Sequence, residues 1–184
     1  QGLVRIRTGA RGGPVVGAAT AENLGRMLTL YFGLAGATYE DLTAVMLIAA
    51  PKVAEIAART RLNRAETLAL RAAVERPCAA PNPRLIRTET LLDFHSLLPV
   101  LARNPVWSLL TDAVNLIFAE HIMTTADLRD FHATTVVDHE NIAKAILARD
   151  PELASRLMRE HTERIIAFNR AQNPAIFSSV IEWR

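Results

Sequence analysis

Residues 138–165 read DHENIAKAILARDPELASRLMREHTERI, and this stretch decides the fold. Asp150 is a good N-cap and Pro151 fits the first helical position, so the spacing predicts one helix ending near Arg149 and another spanning about 151–171. The second stops at Asn173-Pro174. His139 and His161 lie 11 residues either side of Asp150. In an antiparallel pair each therefore stands about 16 Å from the turn, at equal height. Ile142, Ala143 and Ile146 flank His139 at helical spacing, and Leu157 and Ile165 flank His161. Both imidazoles thus face the apolar interior, where an unpaired ring is unfavourable. A lone helical histidine is usually a surface or hydrogen-bonded residue. Two at matched height across a hairpin can share a metal ion or an anionic ligand.

Upstream, the pattern stays helical. One helix is predicted over 22–35, and Thr38 with Asp41 starts a second that runs through Arg59, with Pro51 as a kink. Asn63 with Glu66 starts a third that ends near Arg76-Pro77. Residues 77–83 read as a stiff Pro-rich linker. A fourth helix covers about 85–102 and a fifth about 106–122, and Thr124 or Thr125 caps another. That last helix is expected to be irregular near 132–137, because Thr134-Thr135-Val136-Val137 disfavours helix. The fold class is all-α: an antiparallel bundle of six to seven helices joined by short loops.

The head of the chain is different. Residues 3–7 alternate, residues 9–13 form a Gly-rich turn, and Pro14-Val15-Val16 resumes an extended pattern, which reads as a β-hairpin with a basic tip. An isolated hairpin is marginal in water, so it looks like the end of a domain that begins upstream of Gln1.

Length and composition bound the function. The chain has 184 residues, half of them apolar, enough for one main core. A single cysteine, Cys78, excludes an internal disulfide framework and fits a reducing compartment. Cys78 lies in the Pro-rich segment with no paired histidine, so it does not read as a nucleophile. No apolar run is long enough for a membrane span and no secretory signal is evident, so a cytoplasmic protein without membrane contact is expected. Arg5, Arg7 and Arg11 stand without an acid in residues 1–17, so the body nets about −1 against a chain total of +2. The body is therefore no nucleic-acid surface by composition, whereas the hairpin tip, Arg11-Gly12-Gly13, is a candidate. There is no G-x-S-x-G elbow, P-loop or H-E-x-x-H. His121, at a helix end, and His132 are expected to be solvated or structural.

A third histidine makes the pattern specific. The segments DFHSLLPVLARNP (93–105) and DHENIAKAILARDPELASRLMREH (138–161) closely resemble the FCD effector domain of FadR-subfamily GntR transcription regulators. The resemblance is carried by Phe94-His95, Asn104-Pro105, His139 with Ile142 and Ala145-Ile146, then Asp150, Met158 and His161. Residues 49–54, AAPKVA, resemble an early helix of that family. Residues 1–17 look like the wing of the winged helix-turn-helix module that precedes the domain.

The resemblance implies a dimeric, ligand-sensing repressor or activator. It divides the chain into a wing at 1–17 that contacts DNA through Arg5, Arg7, Arg11, Gly12 and Gly13, an effector-binding bundle at 18–172, and a tail at 173–184. It implies that His95, His139 and His161 hold a divalent metal, zinc or nickel for imidazole ligation, at which a small organic acid binds. Two departures stand out. The family's Asp ligand position, four residues before the first His, is Leu91, and Asp93 lies on roughly the opposite side of a regular helix. Near Pro51, Met46 and Ala50 occupy positions that are often Arg and Glu in the family. Leu91, Met46 and Ala50 thus line an effector pocket of reduced polarity. Three functions follow: a metal-dependent carboxylate sensor, a metal-free sensor of a fatty acid or acyl thioester, and, remotely, a metal-dependent hydrolase. The leading expectation is a sensor with no catalytic residues.

Overall fold

The computed structural model describes residues 4–9, 12–17, 20–75, 94–123 and 129–182. Strands β1 (Val4–Arg7) and β2 (Gly13–Val16) pair antiparallel, with Val4 opposite Val16 and Arg7 opposite Gly13. Gly12 is required in their turn, because a Cβ there would meet the Arg7 carbonyl oxygen at 2.2 Å. Ile6 and Val16 are about four-fifths exposed, so the hairpin contributes little to the core.

The rest is helical: α1 (Ala21–Leu34), α2 (Tyr39–Arg59), α3 (Arg64–Glu75), α4 (residues 94–101), α5 (Pro105–His121), α6 (Arg129–Leu147), α7 (Pro151–Gln172) and α8 (Pro174–Phe177). The helix starts follow from side chains that satisfy otherwise unpaired N–H groups. Thr38 and Asp41 form a reciprocal capping box at α2. Asn63 and Glu66 do the same at α3, at 2.7 and 2.9 Å. Asn104 caps α5 ahead of Pro105, and Asp150 caps α7 ahead of Pro151 through the Leu153 N–H. Arg149, at φ 58°, turns the chain out of α6 and into the α6–α7 hairpin. Arg103, at φ 53°, does the same after α4, and its guanidinium reaches Glu66 and the Arg61 carbonyl.

Two expectations need correcting. Residues 134–137, read as irregular, are helical within α6, and Thr135 is 1% exposed. Burial of that face outweighs a per-residue propensity penalty of a few tenths of a kcal/mol. The segment after Asn173, read as a tail, continues into α8 and back over the bundle. Phe177 and Ile181 are buried, and Ile181 N–H donates to the Ala37 carbonyl. The predicted linker at 77–83 and the start of the fourth helix lie outside the described residues, as do Thr124 and Thr125.

Helix α7 runs through the middle, packed most extensively on α2 and also on α6. One core cluster gathers the second half of α2 with α3, α4, the end of α6 and the start of α7, and includes Phe94, Ile142 and Met158. The other gathers the start of α2 with α5, α8 and the end of α7, and includes Tyr39, Phe118 and Ile165. His161, which neither cluster contains, sits on α7 between Met158 of the first and Ile165 of the second. No helix among the described residues is long and apolar enough to cross a membrane.

Candidate metal centre

The α6–α7 hairpin brings His139 and His161 together as their symmetric spacing predicts: their Nε2 atoms are 3.1 Å apart. Helix α4 delivers the third ring, with His95 Nε2 3.2 Å from His161 Nε2. One nitrogen from each of the three lies within 4.8 Å of the others. His139 and His161 are buried and His95 is half-buried. Phe94 stacks on His139 at 4.1 Å between centroids, which fixes that ring's plane.

A carboxylate supports the cluster from behind. Asp138 Oδ2 accepts from His161 Nδ1 at 3.1 Å, and Arg164 donates to both Asp138 oxygens at 2.7 and 3.1 Å. Burial pushes the Asp138 carboxyl up, but His161 and Arg164 together outweigh it and hold the group below its usual range. Asp138 is therefore ionised at neutral pH and can only accept. The proton of His161 then sits on Nδ1, and its Nε2 carries a lone pair aimed at the other two rings. Burial lowers His161 despite the opposing pull of Asp138. Burial, with the neighbouring His161, pushes His95 down to about 3. Both are thus neutral imidazoles near pH 7, the form that ligates a metal.

This donor set fits a cation. One Nε2 lone pair faces two other ring nitrogens at 3.1 and 3.2 Å, and a single in-plane lone pair accepts two N–H donors poorly. Imidazoles at ordinary zinc–nitrogen distances in a tetrahedral shell would stand about 3.3 Å apart, close to the two spacings here.

Met46 and Ala50, on α2, line a cavity of about 210 Å³ that His95 also borders. Leu91 and Asp93 lie outside the described residues, as do Arg11 and the side chains of Arg5 and His132. Arg7 is exposed on β1, and Gly12 and Gly13 stand at the hairpin turn. His121 is structural and not solvated: it is buried, with Nδ1 2.7 Å from the Tyr39 hydroxyl. Sequence reasoning missed Asp138 and Arg164. A signal was available, since Asp138 sits beside His139 at nearly the hairpin height of His161.

A family model described as FCD domain matches residues 41–164. Among solved structures, the chain is similar to Streptococcus agalactiae GntR, with a TM-score of 0.62 and 22% sequence identity. The match covers 89% of this chain and 74% of that one, and at that identity it shows a shared fold. No curated protein matches the chain.

Proposed function

Since the chain belongs to the FCD domain family, we propose that it is the effector-sensing part of a DNA-binding transcription regulator of the FadR subfamily. A small carboxylate binds at a divalent metal held by His95, His139 and His161, and the bundle relays its occupancy to the DNA-binding module. The role is regulatory and non-enzymatic. The observation that carries the metal assignment is the convergence of three Nε2 atoms, with the tautomer of His161 set by Asp138.

When bound, a zinc or nickel ion supplies positive charge and an open position for a carboxylate oxygen. His95, His139 and His161 present neutral nitrogens, Phe94 orients one ring and Asp138 another. Met46 and Ala50 stand on the effector side of the site. Residues 1–17 act as the wing of the DNA-binding module, with Arg5, Arg7, Arg11, Gly12 and Gly13 against DNA. Residues 18–172 form the sensor, and the segment after Asn173, with α8, packs back on it through Phe177 and Ile181. The regulator works as a cytoplasmic homodimer, because paired half-sites call for two-fold symmetry.

Elemental analysis and native mass spectrometry of protein purified without chelator test this reading. One divalent ion per chain is expected, lost in His161→Ala while the helical circular dichroism remains. A chain that takes up no zinc or nickel on titration refutes the metal site and favours the metal-free sensor.

A further inference from the structure

The cavity beside the three histidines names the effector more closely. It lies between α1, α2, α4, α5 and α7, with a volume of about 210 Å³. Its walls include Phe32, Val53, Leu98, Trp107 and Met158, and no described residue that lines it carries a charge. The polar side chains that line it among the described residues are His95, Thr111 and Asn115, to which Trp107 adds an indole N–H. The Thr111 hydroxyl donates to the Trp107 carbonyl at 2.6 Å, which leaves its oxygen as an acceptor only. His95 belongs both to this wall and to the three-histidine cluster, so the cavity adjoins the cluster through that ring.

We infer that the effector is a monocarboxylate with an apolar body, its head at the histidine cluster and its body in this cavity. The inference rests on the metal-dependent reading above and adds the ligand's class. An apolar cavity of about 150 Å³ accommodates benzene, so this one suits a body of about eight carbons, such as a medium straight chain or a phenylpropyl group. A second carboxylate would enter it without a cationic partner, and a polyhydroxy acid would bring more hydroxyls than Asn115, the Thr111 oxygen and the Trp107 indole N–H can satisfy. The lining therefore disfavours dicarboxylates and sugar acids. The head needs a cation and the body needs dry walls, and both meet at His95.

Calorimetry on the zinc-loaded chain tests this with acetate, butanoate, hexanoate, octanoate, 3-phenylpropanoate, malate and gluconate. Affinity is expected to rise about fourfold per added methylene until the cavity is full, roughly 200-fold from acetate to hexanoate. Malate and gluconate should bind no tighter than acetate. Ala50→Phe should fill the cavity and bring hexanoate down to the level of acetate with zinc uptake unchanged. Val45→Trp, at a half-exposed lining position, serves the same purpose if Ala50→Phe misfolds. A flat chain-length series, or malate or gluconate binding tighter than hexanoate, overturns the inference. If the chain takes up no zinc, the metal reading falls on that measurement alone. The same series on chelated protein then decides the ligand class: a rise with chain length upholds the apolar body and a flat series overturns it.

Discussion

Asp138→Asn is the sharpest test of how the cluster is held. Asp138 Oδ2 receives His161 Nδ1 and Arg164 Nε, both at 3.1 Å, while Oδ1 receives another Arg164 nitrogen at 2.7 Å. Arg164 is a donor only. An amide that keeps its oxygen at the Oδ1 position turns NH₂ toward His161, whose Nδ1 must then accept. The proton moves to Nε2, the atom that faces His95 and His139. The reverse amide orientation keeps the His161 bond and sets NH₂ against Arg164. Either way a donor meets a donor: the first orientation costs the ring its tautomer, and the second leaves it a neutral acceptor beside a displaced Arg164. Loss of such a support behind a metal-ligating imidazole costs about 10- to 100-fold in metal affinity, or about 1.4–2.8 kcal/mol. Competition against a chromophoric zinc chelator measures this, with circular dichroism confirming an intact bundle. Arg164→Ala should lose much less, because it keeps the carboxylate and removes only a pair whose arginine is 42% exposed. A folded Asp138→Asn chain that binds zinc within about twofold of the parent would refute the positioning argument.

Asp112 should make stability fall as pH rises. Its Oδ1 is buried without a hydrogen-bond partner, and burial raises the carboxyl despite a bond from Ser96. A raised folded-state value means its contribution is fully present at acid pH and lost as pH rises through that value. Asp112→Asn should therefore raise the melting temperature at pH 7 and have little effect near pH 3, and equal shifts at both would contradict the burial argument. Tyr39→Phe removes the hydroxyl 2.7 Å from His121 Nδ1, and chemical denaturation should show a loss of about 1 kcal/mol with zinc affinity unchanged. Hydrogen exchange should show residues 94–101 gaining more protection than α6 or α7 when zinc and hexanoate bind; equal gains would count against α4 as the responsive element.

The helix boundaries were legible because they rest on local chemistry. Thr38 with Asp41, Asn63 with Glu66, and Asp150 with Pro151 each satisfy backbone groups within one turn, so sequence spacing alone finds them. The His139–His161 pair was legible for a related reason, since a tight turn converts equal spacing into equal height. Where side chains meet across long separations, the sequence is silent. His121 meets Tyr39 82 residues away, which no helix-end argument anticipates. Pro174 was read as a stop, and it does follow the end of α7, but proline is equally suited to open a helix, and it opens α8. Asp138 is not legible as a supporting group from its chain neighbour, His139, because its partner is His161, across the hairpin.

The three imidazoles are not equivalent in what they report. His139 and His161 belong to one hairpin closed by the turn at Arg149-Asp150, so the fold itself keeps them paired. His95 comes from α4, which also meets that hairpin through Phe94, the ring stacked on His139, and through the shared core around Leu98 and Met158. A ligand shifts an equilibrium only where it contacts two arrangements differently. Contacts to His139 and His161 are alike in any arrangement that preserves the hairpin, so the difference must arise at His95. Helix α4 also gives Leu98 and Pro99 to the cavity. A carboxylate head at the histidines and an apolar body in the cavity would therefore act on the same helix. If the proposed effector binds there, a change in the seating of α4 against α6 and α7 is the route by which occupancy can leave the site.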